Sequence, residues 1–169
     1  DDLRGRFDVV VANTGASWAE EHALLLERCS KALFLVDQRP SSLRACRHAL
    51  ELCSRCGIAT GPFLFAANRC AKGAPLTSID VSCALRGAPA VELRDGGGEV
   101  EELLGAGQPL DLIAAKNDLC TSLEHVLVDL LPGCEGRTLS LAEPSGARRE
   151  RRFGRGRRRV GRRGAPCPC

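Results

Sequence analysis

Strand-sized apolar runs alternate along this chain with segments whose apolar residues recur at helical spacing. That alternation constrains the fold more than any single motif. The strand-like runs are residues 7–13 (FDVVVAN), 32–37 (ALFLVD), 62–68 (PFLFAAN) and 88–93 (APAVEL). Between and after them lie helical patterns. Residues 18–29 present Ala19, Ala23 and Leu26 on one side, with Leu24 and Leu25 adjoining. Leu43, Cys46, Leu50 and Cys53 form a stripe that opens after Pro40, where a helix tolerates a missing N–H, and closes at Gly57. Thr77 and Asp80 have capping-box spacing and open a short helix over 77–85. A turn at Gly96-Gly97-Gly98 leads into a helix over 99–104. Asn117 caps a last one over 118–131, which Pro132-Gly133 stops.

Parallel strands need crossover connections, and strands that are apolar throughout are covered on both faces. The order therefore predicts an α/β fold: a three-layer, mostly parallel sheet of four strands with helices on both faces. Four strands make a thin sheet of this kind. The chain contains no Met, position 1 included. This predicts a piece of a longer protein, or an incomplete gene, whose further strands complete the sheet.

The net charge of +3 averages two unlike pieces. Residues 147–169 hold ten Arg against Glu150 alone, a net of +9, and residues 1–146 carry a net of −6. Phe153 and Val160 are the only large apolar residues of that tail, too few to offset its ordering entropy, and its Arg blocks repel one another. The division predicts a folded domain over 1–133, then a linker and a disordered Arg-rich tail over 134–169. The tail is a solvated extension or a stretch read out of frame, or else it binds nucleic acid phosphates or an anionic membrane surface. It lacks the apolar face of an amphipathic membrane helix. No apolar run is long enough to span a bilayer and no apolar leader follows Asp1, so a cytoplasmic location is expected, with a membrane-peripheral or polar one left open.

Ten cysteines are scattered along the chain. Cys46, Cys53 and Cys56 fall at helical spacing beside leucines and read as small core residues. Cys53-x-x-Cys56 has no second pair at zinc-ribbon spacing, and Cys167-Pro-Cys169 sits in the tail. His22, His48 and His125 lie far apart in helical patterns without a metalloprotease motif. Asp95, Glu99, Glu101 and Glu102 gather where a helix begins, a placement that the positive end of the helix favours without any metal or partner.

Ligands of open parallel sheets bind at the carboxyl ends of the strands. The residues there are Asn13-Thr14-Gly15, Asp37-Gln38-Arg39 and Asn68-Arg69, a row of polar groups along one rim. Taken in order, FDVVVANTG, LVDQRPSSLRACRHALELC, FLFAANR and VELRDGGGEVEELLGAGQPL resemble the second half of a MinD/ParA-type P-loop ATPase, the CpaE/TadZ-like branch associated with pilus assembly in particular. The resemblance covers about residues 7–132. It rests on order and spacing.

The resemblance implies ATP and Mg2+ as cofactors. Asn68 would bond the adenine edge with Arg69 beside it, and Gly15 would lie near the terminal phosphate. Asn13 stands where the family has the Asp that orients the magnesium shell, and an amide lacks the charge that favours a hard divalent cation. The phosphate-binding G-x-x-x-x-G-K-[ST] loop is absent from the 169 residues. The family is an ATPase family, but this chain alone is expected not to hydrolyse ATP and to bind it weakly. The implied role is a nucleotide switch that positions or assembles pilus or secretion machinery through protein partners. The complete protein would form a homodimer around the nucleotide, and this chain a monomer or a loose associate. The competing readings are a nucleotide-free α/β interaction module and a nucleic-acid binder acting through the Arg-rich tail. A phosphorylation-receiver domain fits less well, because no acidic pair precedes Asp37.

Overall fold

The computed structural model describes residues 2–15 and 19–131. The predicted boundary at 133/134, the Arg-rich tail, Trp18, Cys134, Cys167 and Cys169 lie outside the described residues. The chain runs α1 (Glu20–Arg28), β1 (Ala32–Val36), α2 (Pro40–Arg55), β2 (Phe63–Cys70), α3 (Ser78–Ala84), β3 (Ala90–Arg94), α4 (Gly97–Gly105), α5 (Pro109–Ala114) and α6 (Asp118–Leu130). The three strands form one sheet in the order β1-β2-β3, parallel throughout. The fold is α/β, as the alternation predicts.

β2 is the centre, and its alternation assigns the two faces. Phe63, Phe65 and Ala67 join a core with Val36, Cys46, Cys53 and Val81, against which Ala23 and Leu26 of α1 and Leu43 and Leu50 of α2 also pack. Ala66 points the other way, to Leu93 and Val126, with Leu119, Leu123 and Leu130 of α6 around it. Helices thus cover both faces: α1, α2 and α3 on one, α6 on the other. Phe34 of β1 joins the first core through its ring, centred 5.0 Å from Phe63 and 5.1 Å from Phe65.

Helix boundaries follow local chemistry. Pro40 occupies the first turn of α2, and the buried Cys46, Ala49 and Cys53 lie along a single stripe. After α2 the chain turns at Gly57, whose φ of 75° would strain any side chain, and the Ile58 N–H returns to the Cys53 carbonyl at 2.9 Å. Thr77 and Asp80 form the reciprocal capping box of α3: the Thr77 hydroxyl accepts from the Asp80 N–H, and the Asp80 carboxylate accepts from the Thr77 N–H at 2.9 Å. Hydrogen bonds from the Thr77 hydroxyl and backbone hold the Asp80 carboxyl below its usual range, so the box is ionised at neutral pH.

Two expectations are corrected. Residues 7–13 form no strand, so the described sheet has three strands rather than four. Phe7 and Val11 are 57% and 86% exposed, and the segment makes no backbone ladder with its neighbours. β-branched sequence favours a pleated, half-buried setting, and no neighbouring strand provides one here. A short helix that the pattern did not predict, α5, follows α4 after Pro109. No helix among the described residues is long and apolar enough to cross a membrane.

Candidate functional site at the strand carboxyl ends

Because all three strands run parallel, their carboxyl ends share one rim: Asp37 and Gln38 after β1, Asn68 to Cys70 at the end of β2, and Asp95 and Gly96 after β3. The ladder between β2 and β3 breaks within this rim. Ala67 pairs with Glu92 and Cys70 with Arg94, so Asn68 and Arg69 together oppose Leu93. This is a β-bulge, and Arg69 adopts φ 54° within it. A non-glycine residue in the left-handed region costs about 1–3 kcal/mol and persists only where its surroundings hold it. Bulges of this kind re-aim side chains at strand ends. Here the bulge leaves Asn68 half-buried and Arg69 exposed.

Gln38 is what holds the bulge. Its Nε2 donates to the Asn68 carbonyl at 2.9 Å and to Cys70 Sγ at 3.4 Å, while its Oε1 accepts the Leu76 N–H at 2.9 Å. One amide thus ties the end of β1 to the bulge of β2 and to the turn that follows. The Asp37 N–H donates to Ser42 Oγ at 3.0 Å, which fixes the entry into α2. Opposite the bulge, the Glu92 carboxylate accepts from the Ser78 N–H at 3.1 Å and from its hydroxyl at 3.3 Å. Burial pushes the Cys70 thiol up, and the Glu92 carboxylate adds to the shift.

Of the residues singled out from sequence, the fold brings Asn68 and Arg69 together at the end of the central strand. Asn13 and Gly15 lie in the exposed segment outside the sheet, and no hydrogen bond among the described residues links that segment to the rim. Gln38 was legible only as one member of a polar strand end. Its two-sided amide bonding depends on the position of the loop after β2, which no local pattern encodes. Two open grooves, of about 460 and 440 Å³, lie one beside Leu43, Arg44 and Leu76, the other among Ser78, Glu92 and His125 of α6. Neither is lined by Asn68 or Arg69.

Among the described residues no three His, Cys, Asp or Glu side chains converge as metal ligands. Cys53 is buried and Cys56 exposed, so the C-x-x-C pair divides between core and solvent. His22 Nδ1 accepts the Ala19 N–H at 3.3 Å at the start of α1. Glu99 lies in the first turn of α4 and bonds the Asn117 amide. Burial raises the Cys46, Cys53 and Cys70 thiols above their ordinary value. Brief maleimide labelling of the native chain at neutral pH is therefore expected to mark Cys56 and Cys83, both exposed, well before these three. Peptide mapping in which Cys53 reacts as fast as Cys56 would contradict the packing described.

No protein-family model, curated protein or solved structure matches the chain.

Proposed function

We propose that this chain is part of a MinD/ParA-like nucleotide-switch domain that serves the positioning or assembly of pilus or secretion machinery through protein partners. The observation that carries the reading is the bulge at the carboxyl end of the central strand. It sets Asn68 half-buried at the rim and holds the exposed Arg69 at φ 54° beside it. A paired donor and acceptor on one amide suit the edge of an adenine, which presents a ring nitrogen and an amino group. Strand carboxyl ends are where parallel sheets take such ligands.

The fit extends to the base and no further. The chain has no glycine loop with Lys and Ser/Thr to cradle a triphosphate. At Asn13 an amide replaces the carboxylate that Mg2+ chemistry calls for, in a segment outside the sheet. The reading therefore includes no step of metal-assisted hydrolysis. The reading is of adenine recognition without turnover.

Titration of the purified chain with ATP and GTP tests this. Weak binding with preference for ATP is expected, and no Mg2+-dependent phosphate release. Asn68→Ala removes the side-chain amide but keeps the carbonyl that Gln38 holds, so the rim survives. Loss of two base hydrogen bonds weakens ATP binding by about tenfold. Equal binding of the two nucleotides, unchanged by Asn68→Ala, would contradict the proposal, as would brisk ATP turnover.

A second reading, a nucleotide-free interaction module, is favoured by one observation. Leu35 on β1 and several apolar residues before α1 stand exposed on the surface.

A further inference from the structure

Charge is segregated along the described domain. Residues 39–86, which carry α2 and α3, hold seven Arg or Lys against Glu51 and Asp80, a net of +5. Residues 87–131, which carry α4 to α6, hold nine Asp or Glu against Arg94 and Lys116, a net of −7. α2 and α3 pack on one face of the sheet and α6 on the other. The groove of about 460 Å³ lies on the basic side, between α2 and α3. Pro40, Leu43, Leu76 and Ala84 give it an apolar floor, and its charged lining residues, Arg44 and Arg47, are both cations.

The groove is preformed. Leu43 packs on the core beneath it, and Gln38 Oε1 holds the Leu76 N–H at 2.9 Å. Pro40, Arg44 and Arg47 follow one another along one face of α2, so the groove runs about 10 Å beside that helix. Its walls are α2, α3 and the turn before α3; none is a sheet edge, and its shape does not depend on which strands flank the sheet. The cations around it are weakly held. Arg44 makes no ion pair among the described residues, and Arg47 meets Glu51 at 3.3 Å with 61% of its side chain exposed. Arg86 reaches the same carboxylate at 3.6 Å from a φ of 59°, a left-handed position after α3 where glycine is the usual occupant. Three guanidinium groups thus share one carboxylate, and exposed pairs of this kind yield readily to a better acceptor.

We infer that this groove docks an acidic amphipathic segment of a partner protein. Its aliphatic side chains fill the floor over Leu43 and Leu76, and its Asp or Glu side chains meet Arg44, Arg47 and Arg86. A helix of about two turns, with apolar residues at i, i+4 and i+7, matches the length of the groove. The floor decides against a polyanion: nucleic acid phosphates would meet the arginines but bring no aliphatic group to cover the leucines. Residues 147–169 of the chain itself, with ten Arg, carry the same sign as the groove and do not complement it. The docking goes beyond adenine recognition and requires no nucleotide, so the two readings stand or fall separately.

Fluorescence anisotropy with the full chain, without nucleotide, tests the inference. The probe is a labelled helical peptide with Leu at i, i+4 and i+7 set among Glu residues. Saturable binding is expected. Arg44→Glu combined with Arg47→Glu changes two exposed side chains and is expected to weaken binding by about tenfold or more. Ala84→Gln leaves every charge in place but sets a polar side chain at the exposed end of the floor, and is expected to weaken binding roughly threefold or more. The same peptide with Ser in place of Leu keeps its charge and is expected to bind about tenfold more weakly. Equal binding of the Leu and Ser peptides would mean that charge alone is recognised, by the Arg-rich tail included, and overturns the proposal. Binding that both variants leave unchanged, or no saturable binding at all, overturns it too. So does self-association of the chain in sedimentation velocity that the double Glu variant abolishes, because the occupant is then a second copy.

Discussion

Phe65→Ala is expected to destabilise the domain by about 3–5 kcal/mol, the range found when large aromatic side chains are deleted from cores. Phe65 is fully buried at the centre of β2, the one strand paired on both sides, and its ring stacks on Phe34 at an interplanar angle of 22°. The surroundings have little freedom to collapse into the space. Phe63 and Phe34 are fixed by the same ladder, and Cys53 and Val81 close the cavity from α2 and α3. Domains of this size are stable by roughly 5–15 kcal/mol, so the substitution removes a large share of the total. Urea unfolding followed by circular dichroism reads the effect as a lowered midpoint with an unchanged slope. A loss below about 1 kcal/mol would mean that β2 is not the centre of the core.

Asn117→Ala is expected to cost about 2–3 kcal/mol, because one side chain closes three contacts. Asn117 is only 8% exposed. Its Oδ1 accepts the Leu119 N–H at 3.0 Å, capping α6, and its Nδ2 donates to the Gly96 carbonyl at 3.1 Å and to the Glu99 carboxylate. The approach is so close that a Cβ on Gly96 would lie 2.5 Å from Asn117 Oδ1 and 2.3 Å from a Val100 methyl. Gly96 therefore has to lack a side chain, and Asn117 joins the end of β3, the start of α4 and the start of α6. Asn117→Asp separates the roles. It keeps the cap acceptor but sets a carboxylate against a carbonyl and Glu99, which raises its pKa on folding. The variant is then less stable than the parent at neutral pH and recovers part of the loss as the pH falls and the new carboxyl is protonated. Equal stability of parent and Asn117→Ala in urea would contradict this account.

Much of the fold was legible because burial writes itself into local patterns. The run that became β2 is continuous because helices cover both faces of the sheet at its centre, and the Cys46 and Cys53 stripe of α2 carries the period of a helix seated on it. Asn117 reads as a cap, although its bonds to Gly96 and Glu99 do not show in the sequence. The failures are equally physical. Residues 7–13 have strand composition, but a strand exists only with a partner, and pairing is not a local property. α5 spans six residues among turn-forming ones, too few to establish a period.

The rim divides in the same way. Asn68 and Arg69 were visible as polar residues ending an apolar strand. The bulge that aims them arises from the shifted register against β3 and from the Gln38 amide reaching across from β1. Sequence supplied the residue types, and tertiary pairing supplied their direction.

The most direct test of the adenine reading is to titrate the 15N-labelled chain with ATP, and separately with GTP, while following its amide resonances. The account predicts that ATP shifts the amides of Asn68 and Arg69 and the side-chain amide of Gln38, with or without Mg2+, and that GTP shifts them far less. Perturbation confined to other surfaces, or identical responses to both nucleotides, would contradict it.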